Sequence, residues 1–203
     1  MPKIVDPDER RREVAEAVFR VVARDGLAQV SLRTVAAEAG LAIGSVRHYC
    51  GSYDELMALA FQTLVDAVDE RFAVHRGRLG ETASGSPERR RLVEDMLAEF
   101  LPLDEQRHRE TAVWLAFSGA ARTDGNLTPY VRRMSEGMRM VVRRILEGCV
   151  RSGRTPELDL ALETDRLCAL LDGLALTVIT APSAISPART LAVLRRHLDT
   201  LAI

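Results

Sequence analysis

The sequence predicts an all-α fold, and three observations support this prediction. Apolar residues recur every three or four positions in most segments, the spacing that places them on one face of a helix. Only 4% of the 203 residues are aromatic, whereas β-strands favour aromatic and β-branched side chains. Capping residues, with Pro or Gly at the boundaries, divide the chain into helix-sized segments. At 47% hydrophobic, the chain can bury a full core.

The first helix begins near the start of the chain. Asp6 can cap it, and Pro7 suits the first helical position because proline has no N–H to leave unpaired. A stripe of valines follows at helical spacing, and Gly26 can end the helix in a left-handed conformation. These signals predict a helix of about twenty residues.

Two short helices follow, and the turn between them is informative. Ser31 can cap a helix that Gly40 ends, and a second short helix is expected over residues 43–49. Ala36 and Ala39 are small enough to let the two helices cross closely. The pattern predicts a helix-turn-helix, although an ordinary helical hairpin could produce the same spacing.

A long helix is expected next. Ser52 and Glu55 form a capping box at its start, and its apolar stripe extends to about residue 76. The Gly- and Ser-rich stretch 77–86 is predicted to be a loop. We place the domain boundary inside the long helix, with residues 1–54 as one domain and 55–203 as a second, because this helix is too long for a small headpiece alone.

Five further helices have recognisable starts. They are expected to begin at Ser86-Pro87, Asp104, Thr128-Pro129, Asp159 and Ser186-Pro187. The last two are the most apolar, so we expect them to form a four-helix interface with the same helices of a second subunit. The expected interface residues are Leu167, Leu170, Leu171, Leu174, Val178, Leu191, Leu194 and Leu198.

The sequence argues against an enzyme and against a metal or cofactor site. The four histidines show no metal-ligand spacing, and no phosphate-binding glycine loop or nucleophile motif is present. The three cysteines, Cys50, Cys149 and Cys168, are widely spaced and are expected to be reduced packing residues. The start of the chain lacks a secretory signal pattern and no stretch is apolar enough to span a bilayer, so we expect a cytoplasmic protein without a membrane partner.

The charge of the chain limits how it could bind nucleic acid. The formal net charge is −1, so bulk positive charge cannot hold the chain to DNA and a local surface must do so. Of the 28 Lys and Arg residues all but Lys3 are arginine, whose planar guanidinium suits phosphate and carboxylate groups.

The helix-turn-helix region resembles a known family. The run from Ser31 through Ala36-Ala37-Glu38-Ala39-Gly40-Leu41 to Gly44, Val46, Tyr49, Ser52 and Asp54-Glu55-Leu56 resembles the DNA-binding domain of the TetR family. Three later stretches, Phe100–Asp104, Val113–Phe117 and Leu171–Leu176, are similar to the branch that contains the choline-responsive repressor of betaine synthesis. The resemblance implies a homodimer that binds double-stranded operator DNA and responds to a small-molecule effector.

The resemblance also implies which side chains contact DNA. The helix over residues 43–49 would enter the major groove, where Ile43 suits a thymine methyl and Ser45 can hydrogen-bond a base edge. Arg33 would form two hydrogen bonds to a guanine base, and the remaining residues would contact phosphates or groove edges. The full expected set is Ser31, Arg33, Thr34, Ile43, Gly44, Ser45, Arg47, His48, Tyr49 and Tyr53.

Three positions depart from the family pattern. Ala42 stands where a serine usually caps the recognition helix, so that cap should lack its side-chain hydrogen bond. Cys50 stands where Phe is common, and Tyr53 stands where a lysine often contacts phosphate. Tyr53 can still donate a hydrogen bond to a phosphate, but it brings no charge. These departures bear on operator affinity and not on the fold.

The C-terminal helices are expected to form a ligand chamber. The candidate lining residues are Met96, Phe100, Glu110, Trp114, Phe117, Met134, Met138 and Asp172, with the two carboxylates as polar anchors. A cation such as choline is usually bound by a box of aromatic side chains. The chain has only one Trp, three Tyr and five Phe to form such a box, so we do not predict choline as the effector.

Two other functions remain open at this point. The chain could be a helical small-molecule-binding or scaffold protein without DNA activity, or a DNA-binding protein without an inducer. Repression is the usual mode of the family, and activation is the alternative.

Overall fold

The computed structural model describes residues 6–83, 85–151 and 158–201, and these contain α-helices and no strand. Nine α-helices lie within these described ranges. Their bounds are α1 Pro7–Asp25, α2 Leu32–Ala39, α3 Ile43–Tyr49, α4 Tyr53–Glu81, α5 Pro87–Ala98, α6 Glu105–Ala120, α7 Thr128–Arg151, α8 Leu160–Thr180 and α9 Pro187–Thr200. The all-α prediction is confirmed. No helix in this part of the chain combines the length and apolar character needed to cross a membrane.

The predicted caps form at most helix starts. The side chain of Asp6 accepts a hydrogen bond from the Asp8 N–H at the start of α1, and Pro7 occupies the first turn. Asp159 and Ser186 cap α8 and α9 in the same way. Gly26 has a φ of 85°, which few other residues adopt, and it follows the last residue of α1. The first helix therefore begins and ends where the sequence predicted.

The helix α4 is longer than predicted. It continues through Gly77 and Gly80 to Glu81, so the loop expected from residue 77 begins only after residue 81. Leu79 packs against the buried apolar core, and the guanidinium of Arg89 donates hydrogen bonds to the Leu79 and Thr82 carbonyls. These contacts stabilise the last turns of α4 against the cost of two glycines, which is about 1 kcal/mol each in a helix.

The chain divides into two compact units. Unit 1 contains the residues up to Ala67 together with Ala112–Val131, and unit 2 contains Val68–Thr111 together with the residues from Arg132 onward. Within unit 1, α1, α2, α3 and the first half of α4 enclose a core that includes Val18, Val35 and Val46, each fully buried.

Unit 2 has its own apolar core. It is built from the second half of α4 with α5, α7, α8 and α9, and it includes Phe72, Leu97, Leu146, Leu167 and Leu198. The free cysteines Cys149 and Cys168 belong to this core, and Cys50 is buried in unit 1. All three are therefore packing residues, as predicted.

Most of the residues expected to form the dimer interface are buried within a single chain. Six of the eight, namely Leu167, Leu171, Leu174, Val178, Leu194 and Leu198, are at most 7% exposed within a single chain. Leu170 and Leu191 are half-buried. The sequence pattern could not separate a helix face that packs inside one subunit from a face that packs against a second one, because both are apolar at helical spacing.

Candidate nucleic-acid interface and effector cavity

The helix α2 is held in place by a capping box at its start. The Thr34 N–H donates to the Ser31 hydroxyl over 3.1 Å, and the Ser31 N–H donates to the Thr34 hydroxyl over 2.9 Å. At the other end Gly40 adopts the left-handed conformation, with a φ of 66°. The two predicted contacts Ser31 and Thr34 therefore have a structural role, since they fix the first turn of α2.

A cluster of charges fastens α2 to α1. Glu38 accepts hydrogen bonds from Arg20 over 2.7 Å and from Arg24 over 2.8 Å. These two bonds, that of Arg20 first, lower the pKa of the Glu38 carboxyl. The helix that precedes the turn is thus oriented by α1, and its opposite face is left for other contacts.

The helix α3 has one buried side and one exposed side. Val46 is fully buried against the core of unit 1, whereas Gly44, Ser45, Arg47 and His48 are exposed. Ile43 is 37% exposed, so part of its apolar side chain is available for contact with a partner. A methyl group added at Gly44 would meet no heavy atom of the described chain within 4 Å, so this position allows a close approach.

The cap of α3 is as weak as expected. Ala42 is the N-cap residue and provides no side-chain hydrogen bond to the first turn. The N–H groups of Ser45 and Val46 reach the Ala42 carbonyl instead.

The larger predicted contact residues lie around this exposed face. Arg33 is exposed, and no hydrogen bond or ion pair joins it to another residue of the described ranges. Tyr49 is half-buried, with its ring edge-on to that of His48 at 5.0 Å between centroids. Desolvation first, and the carboxylates of Asp124 and Asp54 next, raise the pKa of Tyr53, so its phenol stays neutral and acts as a hydrogen-bond donor without charge. The DNA contacts themselves stay predictions.

The expected ligand residues are divided between the two units. Trp114 and Phe117 belong to unit 1, whereas the other six belong to unit 2. Met134 and Met138 are half-buried on α7. Asp172 lies on α8, and the residue as a whole is exposed. Its carboxyl is nevertheless partly desolvated, which raises the pKa of that group.

Glu110 takes part in a charge cluster that the sequence did not predict. Its two carboxylate oxygens accept hydrogen bonds from Arg71 over 3.1 Å and 2.6 Å, and Arg71 also donates to Glu99 over 2.7 Å. Desolvation lowers the pKa of Arg71, but the two carboxylates, that of Glu110 first, outweigh this effect and raise it. We call Arg71, Glu99 and Glu110 the matched cluster. The Glu110 carboxylate is thus paired within unit 2, and its contact with a ligand stays a prediction.

Unit 2 contains a cavity of about 200 Å³ between α4, α5 and α7. Met96 is the one predicted ligand residue that lines it, and Phe100, although expected there, packs its ring on Phe72 at 5.1 Å instead. Five arginines that the sequence analysis missed also line the cavity: Arg76, Arg89, Arg90, Arg144 and Arg151. A signal was available, because α7 carries Val141, Arg144, Ile145 and Gly148 at the spacing of one helix face.

Comparisons with known proteins agree with this architecture. Residues 89–202 match the family model of the BetI-type transcriptional repressor C-terminal domain. The HTH-type transcriptional regulator PksA of Bacillus subtilis (strain 168) is 31% identical over 204 residues, and the match covers the whole of this chain and 95% of that relative.

Two solved structures are similar along nearly the whole chain. A transcriptional regulator from Rhodococcus sp. Rha1 is 32% identical with a TM-score of 0.74, and the match covers 94% of this chain and 95% of that one. A regulator from Saccharomonospora viridis, solved in complex with choline, is 20% identical with a TM-score of 0.79 over 95% of this chain and 96% of that one, which shows the shared fold.

The fold and the matches together settle what class of protein this is. The relatives are transcriptional regulators and not enzymes, and the match to them extends over both the helix-turn-helix and the C-terminal helices. The chain therefore belongs to the TetR family of transcriptional regulators and carries a BetI-type repressor C-terminal domain.

Proposed function

We propose that this regulator is a cytoplasmic homodimer that binds a pseudo-palindromic DNA operator, represses transcription there, and leaves the operator when a small molecule binds its C-terminal helices. In this proposal residues 1–54 form the DNA-binding domain and residues 55–203 form the sensing and dimerisation domain. The observation that carries it is the exposed face of α2 and α3, on which Arg33, Ile43, Gly44 and Ser45 lie.

The chemistry of this face suits the major groove. An arginine can form two hydrogen bonds to guanine O6 and N7, an isoleucine can contact a thymine methyl, and a serine hydroxyl can pair with either kind of base edge. Arg47 and His48 at the far end of α3 would reach the phosphate backbone, which positions a protein without reading sequence. Two such helices in a dimer would bind half-sites about 10 bp apart, or a multiple of that spacing.

A second copy of the chain is the partner that suits the outer face of α8. Leu162 and Leu176 are 54% and 49% exposed there, although both are large apolar residues. Ala169 and Gly173 lie between them on the same side of the helix and are also exposed. Small residues between two leucines allow a facing helix to approach closely. In this proposal the outer face of α8, and not the stripe that is buried within one chain, forms the interface.

The long helix α4 offers a route from effector to DNA. Its first half belongs to unit 1 and its second half, from Val68, belongs to unit 2. A ligand that shifts the second half would therefore displace the start of the helix that follows α3. A coupling free energy of about 1–3 kcal/mol would release the operator 5- to 150-fold.

The DNA proposal is tested by Arg33→Ala. The operator is first selected from random duplexes by the wild-type protein, and binding is then measured by fluorescence anisotropy. We expect Arg33→Ala to cost roughly 1–3 kcal/mol and to relax preference at one base position in each half-site, because a bidentate contact is lost.

The control for charge alone is Arg143→Ala, which removes one exposed arginine of α7 that pairs with Glu147. It should bind the operator as the wild type does. Equal binding by Arg33→Ala and the wild type would remove Arg33 from the interface. If no sequence is enriched in the selection, the chain is a helical binding protein without DNA activity.

The dimer proposal is tested by the double variant Leu162→Glu and Leu176→Glu. Two exposed apolar side chains become charged, so we expect sedimentation as a monomer, an unchanged helical circular dichroism spectrum and much weaker operator binding. Val74→Glu, which charges an apolar residue that is 63% exposed on α4, should remain dimeric. A double variant that stays dimeric would place the interface elsewhere.

A further inference from the structure

The cavity in unit 2 combines an apolar wall with a positive rim. Its apolar lining includes Phe72, Val93, Met96 and Ile145, each at most 8% exposed. Five arginines are also among the lining residues, and no Asp or Glu occurs in the part of the lining that the structure describes. The described lining thus combines an excess of positive charge with an apolar surface.

The arginines of the cavity differ in how their charges are compensated. Arg90 forms an ion pair with Asp199 over 2.9 Å. Within the described residues no carboxylate forms an ion pair with Arg76, Arg89 or Arg144. Three guanidinium groups at this cavity therefore have no carboxylate partner in residues 6–83, 85–151 and 158–201.

Arg89 is held in position without a carboxylate. Its Nη1 donates hydrogen bonds to the Leu79 carbonyl over 3.0 Å and to the Thr82 carbonyl over 3.3 Å, at the C-terminal end of α4. The other terminal nitrogen lies near α7, since a methyl group added at Gly148 would be 3.9 Å from it. Arg89 is half-buried, so its charge is oriented by the backbone and partly removed from water.

This arrangement favours a ligand that carries a negative charge. A half-buried cation without a counter-charge is unfavourable, and an anion placed beside it is stabilised by charge-assisted hydrogen bonds. A cationic ligand would meet several like charges, with no carboxylate among the lining residues that are described. The cavity volume limits the size of the ligand. A cavity of about 150 Å³ accepts benzene. A cavity of about 200 Å³ therefore accepts a somewhat larger apolar group.

We propose that this cavity binds an amphipathic anion, a carboxylic acid whose apolar body is slightly larger than a benzene ring or is an alkyl chain of comparable volume. The carboxylate lies among Arg76, Arg89 and Arg144, and the apolar body lies against Phe72, Val93 and Ile145. Release of the operator by such a ligand rests on the proposed function. Binding of the ligand to the cavity does not depend on that proposal. The ligand class is opposite in charge to choline, the ligand in the Saccharomonospora viridis structure.

The test compares three probes with alkyl chains of nearly equal length and different head groups. Octanoate, octanol and octyltrimethylammonium are titrated into the purified full-length protein, without DNA, by isothermal titration calorimetry. We expect octanoate to bind with the highest affinity and the ammonium compound to bind least, because the two share the apolar contacts and differ in charge. Equal or tighter binding of the ammonium compound would overturn the proposal.

Variants locate the binding to this cavity. The double variant Arg76→Gln and Arg144→Gln should bind octanoate about tenfold more weakly and octanol as the wild type does, since only the charged contacts are lost. Val141→Phe, which fills the half-buried α7 side of the cavity, should weaken both. Arg143→Gln removes a neighbouring arginine of α7 outside the cavity and should change neither. Wild-type affinity for octanoate in both cavity variants would overturn the proposal.

The two proposals fail in different ways. The operator complex is titrated with octanoate in parallel with the protein alone. Octanoate that binds the protein through Arg76 and Arg144 but leaves the operator complex intact supports the anion site and counts against effector release. If the protein binds the operator but does not bind octanoate, the anion site is overturned and the proposed DNA binding is unaffected.

Discussion

Two groups of arginines in unit 2 have opposite surroundings. Arg71 lies in the matched cluster, where both carboxylates are at most 12% exposed and each accepts a short hydrogen bond from it. Arg76, one turn further along α4, and Arg89 and Arg144 face a cavity and have no carboxylate partner among the described residues. The same side chain thus has a structural role in one place and is left available to a ligand in the other.

The difference comes from the partners and not from the arginines. Glu99 and Glu110 reach Arg71 from 28 and 39 residues away along the chain. These paired and hydrogen-bonded charges hold α4 to the end of α5 and to α6, and removal of Arg71 would leave two largely buried carboxylates without this partner. The cavity arginines have no such constraint, so their substitution should affect binding more than folding.

The largest expected effect is that of Arg71→Met. It leaves the carboxylates of Glu99 and Glu110 buried without their main partner, so the free energy of unfolding should fall by about 3 kcal/mol. Urea denaturation followed by circular dichroism measures this loss. The matched control is Arg139→Met, which breaks the pair with Asp165; both side chains are at least 50% exposed, so little change is expected.

A second substitution tests whether the loss of stability comes from unpaired charge or from lost packing. Adding Glu110→Gln to Arg71→Met should restore part of the lost stability, since one of the uncompensated carboxylates is then gone. If the double variant is less stable than Arg71→Met by itself, the loss comes from packing of the arginine stem and not from unpaired charge.

A smaller effect is expected for Arg89→Met. The variant loses hydrogen bonds to two carbonyl groups at the end of α4, but it also removes a charge that no carboxylate compensates. The free energy of unfolding should therefore fall by no more than about 1 kcal/mol, again measured by urea denaturation. A loss as large as that of Arg71→Met would show that Arg89 is also a structural arginine and would remove the contrast between the two groups.

The helix-turn-helix was the part that the sequence predicted best. Ser31, Gly40 and the bounds of α3 were identified correctly because caps act through residues three or four positions away, and such partners are visible in the sequence. The end of α4 was wrong by five residues because its last turn is stabilised by Arg89, which comes from the next helix. Local signals could not show a stabilising contact from a distant residue.

The sequence by itself determined the helical class, nearly all helix starts, the helix-turn-helix and the resemblance to the TetR family, since each depends on short-range periodicity, capping chemistry or a motif of neighbouring residues. Only the tertiary structure decided which apolar faces are buried inside one chain, which carboxylates pair with Arg71 and which arginines surround a cavity. The physical reason is that burial and ion pairing depend on distances between helices, whereas a helical repeat in the sequence specifies a face without specifying what packs against it.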